Sequence, residues 1–333
     1  MDAFINDIET YLPLRVLTNE ELVGEFPEWD AEKVAKKTGI KERHISADNE
    51  TSVDMAFQAA SKLFDRNPQL KKDVDFIILC TQTPDYRMPA SACLLQKRLG
   101  LPTTIGAVDI DLGCSGFIYG LGLAKGLVLG NIAQAVLLLT ADTLTKYFHP
   151  KDKGNKSIFG DAAAATVVST RGFAKIDNFV LGTDGWGQEI INIKIGGTRQ
   201  PLPIHDETID ENGHVKSSDY FYMDGPEVFN FTLDSVPPLL DECLRMNDIQ
   251  KDEIDQYILH QANGYILNTI RKVYGVPKEK FYINMEHYGN TVSSTIPLAI
   301  KDARLSNIIH DGNRVLIAGF GVGFSYGACL LEF

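Results

Sequence analysis

The stretch VDIDLGCSGFIYGLGLAKGLV, residues 108–128, sets an alternating run, Val108, Ile110 and Leu112, directly before a lone cysteine, Cys114. A period of two reads as a strand. The apolar, glycine-rich segment that follows, residues 115–130, reads as a helix able to pack closely. The neighbouring segments continue the pattern. VDFIILCTQT is strand-like and leads into a loop, SACLLQKRLGL is helix-like, and AQAVLLLTAD reads as a buried strand. Strands alternating with helices imply parallel sheet covered by helices, an α/β architecture.

The second half repeats this order. IDQYILHQAN reads as strand into loop, GYILNTIRKVYGV as helix, KFYINME as strand, SSTIPLAIKDARLSN as helix and GNRVLIAGFG as strand. Laid over the first half, DQYILHQAN falls on DFIILCTQT and NRVLIAGFG on QAVLLLTAD. Cys80 then matches His260, and Cys114 matches Asn290. Two duplicated lobes, residues 1–172 and 173–333, would bring strand-end loops of both halves to one interface. The carboxyl ends of strands are where such folds place chemistry.

The bulk numbers bound the function. A chain of 333 residues, 44% apolar, can bury a large core. A net charge of −12 argues against nucleic acid or an anionic membrane as partner. Nothing resembles a signal peptide, and no run reaches the roughly 18 apolar residues of a membrane span. The five cysteines, Cys80, Cys93, Cys114, Cys243 and Cys329, lack metal or CxxC spacing. They read as free thiols of a reducing compartment, the cytoplasm. The histidines have no ligand spacing either, so no metal is expected.

Three residues carry the chemistry. Cys114 sits at a strand-to-helix elbow, either as a small core residue or as a nucleophile. A helix N-terminus lowers a thiol's pKa, and the thiolate is the reactive form. His260 stands in LHQAN and Asn290 in HYGNT, where asparagine after glycine is also ordinary turn chemistry. Together, a cysteine, a histidine and an asparagine at matched strand ends fit acyl-thioester chemistry. Cysteine takes the acyl group, and the other two donate hydrogen bonds to a thioester oxygen. AGFGVGFSYG, residues 318–327, fails GxGxxG at Phe324, which disfavours a nucleotide cradle and favours a backbone loop offering an N–H to the site. GCSGF fails GxSxG at Phe117, which disfavours a serine-hydrolase elbow.

These motifs resemble the β-ketoacyl-ACP synthase III family of the thiolase superfamily. KKTGIKERHI (36–45), DLGCSGFIYGL, SIFGDAAAATVV (157–168), LHQAN, HYGNT and GFGVGFSYGACLLEF follow the family's order and spacing across nearly the whole chain. The resemblance implies a five-layered αβαβα fold and a homodimer. It also implies a decarboxylating Claisen condensation of an acyl-CoA primer with malonyl-ACP, both substrates rather than cofactors; no cofactor is expected. Cys114 would be acylated, and His260 and Asn290 would bind the malonyl thioester oxygen. The backbone N–H groups of Cys114 and Val322, the latter beside Gly321, would form the oxyanion hole.

Departures bear on substrate. Lys33 stands where the family often has a tryptophan against the CoA adenine, with Trp29 four residues early. Tyr265 replaces an arginine used for carrier or CoA phosphates, and Arg271 and Lys272 are candidates to substitute. Met88, in YRMPASA, replaces a phenylalanine that narrows the acyl pocket, so a pocket open to more than acetyl is expected. The charged segment 195–219 reads as a surface excursion without function. The rivals are a synthase III-like acyltransferase with another carbon, oxygen or nitrogen acceptor, and a non-catalytic partner subunit. An activity like that of 3-hydroxy-3-methylglutaryl-CoA synthase would need a general-base glutamate near the cysteine, and none is identified.

Overall fold

The computed structural model describes residues 2–210 and 215–333. Nine strands form one hydrogen-bonded mixed sheet. In chain order they are β1 (Phe4–Tyr11), β2 (Phe76–Cys80), β3 (Gly106–Ile110), β4 (Ala135–Asp142), β5 (Ala162–Ser169), β6 (Ala174–Thr183), β7 (Gln256–Leu259), β8 (Arg314–Gly321) and β9 (Ser325–Glu332). Six helices cover them: α1 (Ser52–Arg66), α2 (Ser91–Arg98), α3 (Gly116–Leu129), α4 (Gly225–Met246), α5 (Gly264–Tyr274) and α6 (Thr295–Leu305).

The strand order is β7-β8-β9-β6-β1-β5-β4-β2-β3. β2 runs parallel to β3 and β4, and β7 runs parallel to β8. The pairs β4–β5 and β8–β9 are antiparallel, so the expected parallel sheets are mixed ones. The two groups of strands join at a narrow seam, where β1 pairs with β6 only through Phe4↔Lys175 and Ile5↔Ala174.

Alternation along the strands builds the layers. Ile77 and Leu79 of β2 and Leu137 and Leu139 of β4 face α1 and α2 in one outer core. Ile78 and Leu138 face the other way, onto Phe117, Ile118 and Leu121 of α3. The second group repeats this. Ile258 of β7 and Ile317 of β8 face the same middle core, where they meet Ile296 and Ile300 of α6. Leu259 and Leu316 face outward onto Leu240 of α4 and Leu267 of α5. The sandwich is therefore α1/α2, strands, α3/α6, strands, α4/α5, the five-layered αβαβα fold. Each buried leucine or isoleucine contributes about 1.5–3 kcal/mol, so the middle layer, fed by both halves, binds them as one body.

One strand assignment fails. KFYINME forms a single bridge, Phe281 to Tyr257, not a strand. Tyr282 N–H donates to Tyr257 O at 3.0 Å, but Asn284 N–H goes to the Gln261 side chain at 3.0 Å and Met285–His287 closes as a 3-10 turn. The segment 195–219 is mostly exposed, and Thr208–Ile209 pairs antiparallel with Val215–Lys216; its residues 211–214 lie outside the described residues.

Candidate active site

Cys114 lies four residues past the end of β3 and two before α3. Its elbow is locked to the C-terminal half. Ser115 and Ser325 hydrogen-bond through their hydroxyls at 2.6 Å, and Ser325 Oγ donates to Val322 O at 2.7 Å. Gly321 has to be glycine here. A Cβ at that position would stand 2.8 Å from Cys114 Cβ and 3.0 Å from its sulfur.

The thiol departs from the expectation based on the helix N-terminus. Burial, then the nearby Asp142 carboxylate, pushes Cys114 up to about 12. Only the backbone N–H groups of Cys114 and Val322 pull it down. A single helix end loses to desolvation plus a buried like charge.

His260 follows β7 and is buried, its N–H donating to Ala318 O of β8 at 2.7 Å. Burial holds its imidazole down at about 3, so it is neutral at working pH. Its Nδ1 lies 2.7 Å from Thr295 Oγ1, at the start of α6. Asn290 is buried between two backbone bonds. Its N–H donates to Ile158 O at 2.8 Å, and its carbonyl accepts from Gly160 N–H at 3.0 Å. Asn290 Oδ1 accepts from Val292 N–H at 3.0 Å, which fixes the amide and leaves Nδ2 as its free donor.

Cys114, His260 and Asn290 line one cavity of about 140 Å³, together with Gln82, Gly321 and Val322. Its remaining wall is mostly apolar, including Leu144, Phe159, Phe221, Ile266 and Phe320, with Thr232 and Asn263 as the polar exceptions. Among the described residues no group of three or more histidine, cysteine or acidic side chains is placed to hold a metal ion.

None of Met88, Lys33, Tyr265, Arg271 or Lys272 lines this cavity. Met88 is 82% exposed. Lys33 and Lys272 are exposed, each on its own helix. Arg271 is half-buried, and its Nη1 donates to Val276 O at 3.1 Å at the far end of α5. Tyr265 stacks on Phe229, centroids 5.4 Å apart. Their chain neighbours Val228 and Ile266 line the cavity.

Sequence reasoning missed Asp142. It ends β4, is buried, and accepts from Gln82 N–H at 2.8 Å and from Ser293 Oγ at 2.5 Å. Burial pushes its carboxyl up to about 7. Thr295, Gln82 and Phe159 were missed as well. For Asp142 a signal existed: an acid closing the apolar run VLLLTAD sits at a strand's carboxyl end, as Cys80 and His260 do.

The KKTGIKERHI stretch supports the site from behind. Gly39, at φ 76°, ends the helix Ala31–Thr38 in a left-handed turn, and a Cβ there would meet Gly264 Cα at 3.2 Å. Arg43 is fully buried and donates to Leu17 O at 3.1 Å and Ser157 O at 2.7 Å.

A duplicated, five-layered α/β sandwich with its cavity at the strand ends is the architecture of the thiolase-type condensing enzymes. Residues 108–185 match the family model for 3-oxoacyl-[acyl-carrier-protein] synthase III, and residues 244–333 match that for its C-terminal part. The chain is 36% identical to the β-ketoacyl-[acyl-carrier-protein] synthase III of Nitratidesulfovibrio vulgaris, covering 99% of each chain. It is 34% identical to that of Caldanaerobacter subterraneus, over 97% of this chain and 95% of the relative. A crystal structure of a 3-oxoacyl-(acyl-carrier-protein) synthase III superposes with TM-score 0.97 at 47% identity, each chain fully covered. That of the Thermus thermophilus enzyme superposes at 0.87 with 33% identity, over 99% of each. The chain belongs to the 3-oxoacyl-[acyl-carrier-protein] synthase III family, a family of condensing acyltransferases.

Proposed function

We propose that the enzyme condenses an acyl-CoA primer with malonyl-ACP by way of an acyl-Cys114 intermediate, at the start of fatty acid or related synthesis. Cys114 Sγ attacks the primer's thioester carbonyl, and CoA leaves as its thiol with the proton the cysteine gives up. The oxyanion is met by the N–H groups of Cys114 and Val322, the pair already directed at the sulfur. The malonyl thioester oxygen then accepts from His260 Nε2–H and Asn290 Nδ2–H. Carbon dioxide departs, and the enolate carbon attacks the Cys114 thioester and expels the thiolate.

The observation that carries this reading is the shared cavity of Cys114, a neutral His260 and an Asn290 whose Nδ2 is free. A protonated histidine would bind the malonyl carboxylate and hold it back; a neutral one donates to the thioester oxygen alone. That role needs the proton on Nε2. The single Thr295 hydroxyl proton supplies it indirectly by going to His260 Nδ1 at 2.7 Å rather than to Val292 O at 3.2 Å. The reading takes acyl-CoA and malonyl-ACP as substrates, no cofactor, a cytoplasmic setting and a homodimer. Among the described residues no helix is long and apolar enough to cross a membrane. The dimer reading rests on the family resemblance; the open edge of β3, with Val108 exposed, and the exposed Tyr86 and Met88 in the loop after β2 support it. Met88, which does not line its own chain's cavity, then acts on primer width through the partner.

The test is intact-protein mass spectrometry with a panel of acyl-CoAs, wild type beside Cys114→Ala, followed by malonyl-ACP. A mass gain that needs Cys114 and discharges with malonyl-ACP is expected. A gain that persists with malonyl-ACP would shift the reading to another acceptor. No gain from any acyl-CoA would overturn acyl-CoA as donor.

A further inference from the structure

Arg43 lies fully buried behind the loop that carries Asn290. It belongs to Glu42–Ile45, which pairs antiparallel with Arg15–Thr18 and sets Leu17 opposite Arg43. Burial pulls its guanidinium down to about 10, and the Glu42 and Glu20 carboxylates offset that burial only in part, so it stays charged at neutral pH. Among the described residues it has no ion-pair partner, and its Nε meets no acceptor. A buried charge without a counter-ion is costly to keep. What this one makes is a fork: Nη1 donates to Leu17 O at 3.1 Å and Nη2 to Ser157 O at 2.7 Å. One planar group thus bridges two segments remote in sequence.

Ser157 leads directly to the contacts that hold Asn290. Asn290 N–H donates to Ile158 O at 2.8 Å, and Gly160 N–H donates to Asn290 O at 3.0 Å. Phe159 and Asn290 form a parallel bridge between those two bonds. The arginine's own strand ties the same segment again, since Asp161 N–H donates to His44 O at 2.8 Å. The Arg43 stem packs against both chains of the bridge. A Cβ on Gly160 would stand 3.0 Å from Arg43 Cβ, and one on Gly289 3.2 Å. Cys114 and His260 take their places from other contacts, the Ser115–Ser325 pair and the bonds to Ala318 and Thr295.

We infer that Arg43 is a positioning residue for the condensation step, its fork fixing segment 158–160 and, through it, the amide of Asn290. The inference rests on the reading above in which Asn290 donates to the malonyl thioester oxygen. The fork carries the role, rather than the charge. A lysine ammonium on its flexible stem is a single point and cannot hold two carbonyls in place as a planar guanidinium does. A misplacement of about 1 Å can cost about 10²-fold in rate, so a loosened Asn290 shows in condensation and not in the loading of Cys114.

The experiment compares wild type, Arg43→Lys, Arg43→Met, Asn290→Ala and the double variant Arg43→Lys/Asn290→Ala. Two single-turnover rates are read for each: loading of Cys114 by the acyl-CoA that loads wild type fastest, and discharge of the acyl-enzyme by malonyl-ACP. Both Arg43 variants should load within about threefold of wild type and discharge about ten- to 10²-fold more slowly. Asn290→Ala should discharge about 10²–10³-fold more slowly, the cost of one oxyanion donor, which leaves a rate to measure. Added to Asn290→Ala, Arg43→Lys should slow discharge by less than about twofold, because changes that act through one group do not add. Equal losses in loading and discharge overturn the inference. So does an Arg43→Lys loss repeated in full on Asn290→Ala, which a purely structural residue would give, and so does an Arg43→Lys that discharges as wild type does. Failure of both Arg43 variants to fold would assign Arg43 to the fold alone and overturn it as well. In each of these cases a wild type that loads and discharges leaves the proposed function standing. A wild type that loads but is not discharged by malonyl-ACP sinks that function and this inference with it.

Discussion

Ser293 Oγ donates to Asp142 Oδ2 at 2.5 Å, and this bond ties the loop that carries Asn290 to the half that carries Cys114. A second tie lies beside it, Ser294 Oγ to Thr140 Oγ1 at 2.9 Å. Both partners are on β4, so one strand of the first half sets the position of a donor supplied by the second.

Asp142 is therefore a positioning residue, and its loss should separate the half-reactions. Asp142→Ala leaves the buried Gln82 N–H without its acceptor and frees the Asn290 loop. Acylation needs Cys114 and the oxyanion groups; condensation needs Asn290 as well. Condensation should fall about tenfold more than acylation, the loss that a misplacement worth roughly 1.4 kcal/mol gives. Asp142→Asn should recover most of it, because its amide can accept from Gln82 and donate to Ser293. Single-turnover rates of the two steps decide this. Equal losses in both would reduce Asp142 to a structural role.

The Thr295 hydroxyl beside His260 gives a sharper test of the donor pair. Thr295→Val keeps the shape and removes the group that holds Nδ1, so the Nε2–H tautomer is no longer enforced. Decarboxylation of malonyl-ACP should drop by about 10²–10³, the usual cost of one oxyanion donor, while Cys114 acylation changes little. His260→Ala should lose at least as much. Decarboxylation that survives His260→Ala would sink the assigned role.

Much of this was legible in the chain. The near-continuous apolar runs FIILC and RVLIAGFG marked β2 and β8 as strands, and they are apolar on both sides because in a five-layered fold each face meets a helix layer. Cys114, His260 and Asn290 were legible because strand ends collect chemistry. KFYINME was misread because its alternation is real, but the Gln261 side chain takes the backbone donor that a ladder would need. The packing of Phe148, Phe159 and Phe221 on one another was invisible, since they belong to separate segments and meet only in the folded chain.

Alkylation reports the state of Cys114 directly. With the thiol pushed up to about 12, its reaction with iodoacetamide should rise about tenfold per pH unit from pH 7 to 10, with no plateau near the ordinary thiol value of about 8.5. Asp142→Asn removes the nearby negative charge and should speed the reaction several-fold in that range. Peptide mapping separates Cys114 from the exposed Cys93. A plateau near pH 8.5 would contradict the buried, charge-opposed thiol.

Gly321 is constrained by the approach of its backbone to Cys114. In Gly321→Ala the new methyl would stand 2.8 Å from Cys114 Cβ, and relieving that contact should cost about 1–3 kcal/mol in a packed site. The urea midpoint should fall, and acylation should fall further than the folded fraction explains, because the sulfur is displaced from the Val322 N–H. Normal stability and normal acylation together would show that the turn yields freely.

Stability should depend on pH through two buried groups of opposite sign. Burial raises the folded Asp142 carboxyl to about 7, whereas in the unfolded chain it titrates near 4. Between those values the native state holds a proton that the unfolded state has released, so stability falls as pH rises. The contribution is fully present below pH 4 and is lost through pH 7. His260, held at about 3, works in the opposite direction: the unfolded chain binds its proton below about 6.5, so that contribution grows as pH rises from 3 to 6.5. The two partly cancel in wild type. Asp142→Asn removes the first and leaves the second, so its stability relative to wild type should climb from pH 4 to about 7 and then level off. Urea unfolding of both proteins across that range reads the difference. A flat difference would mean that Asp142 is an ordinary ionised carboxylate throughout, held by its two donors against the cost of burial.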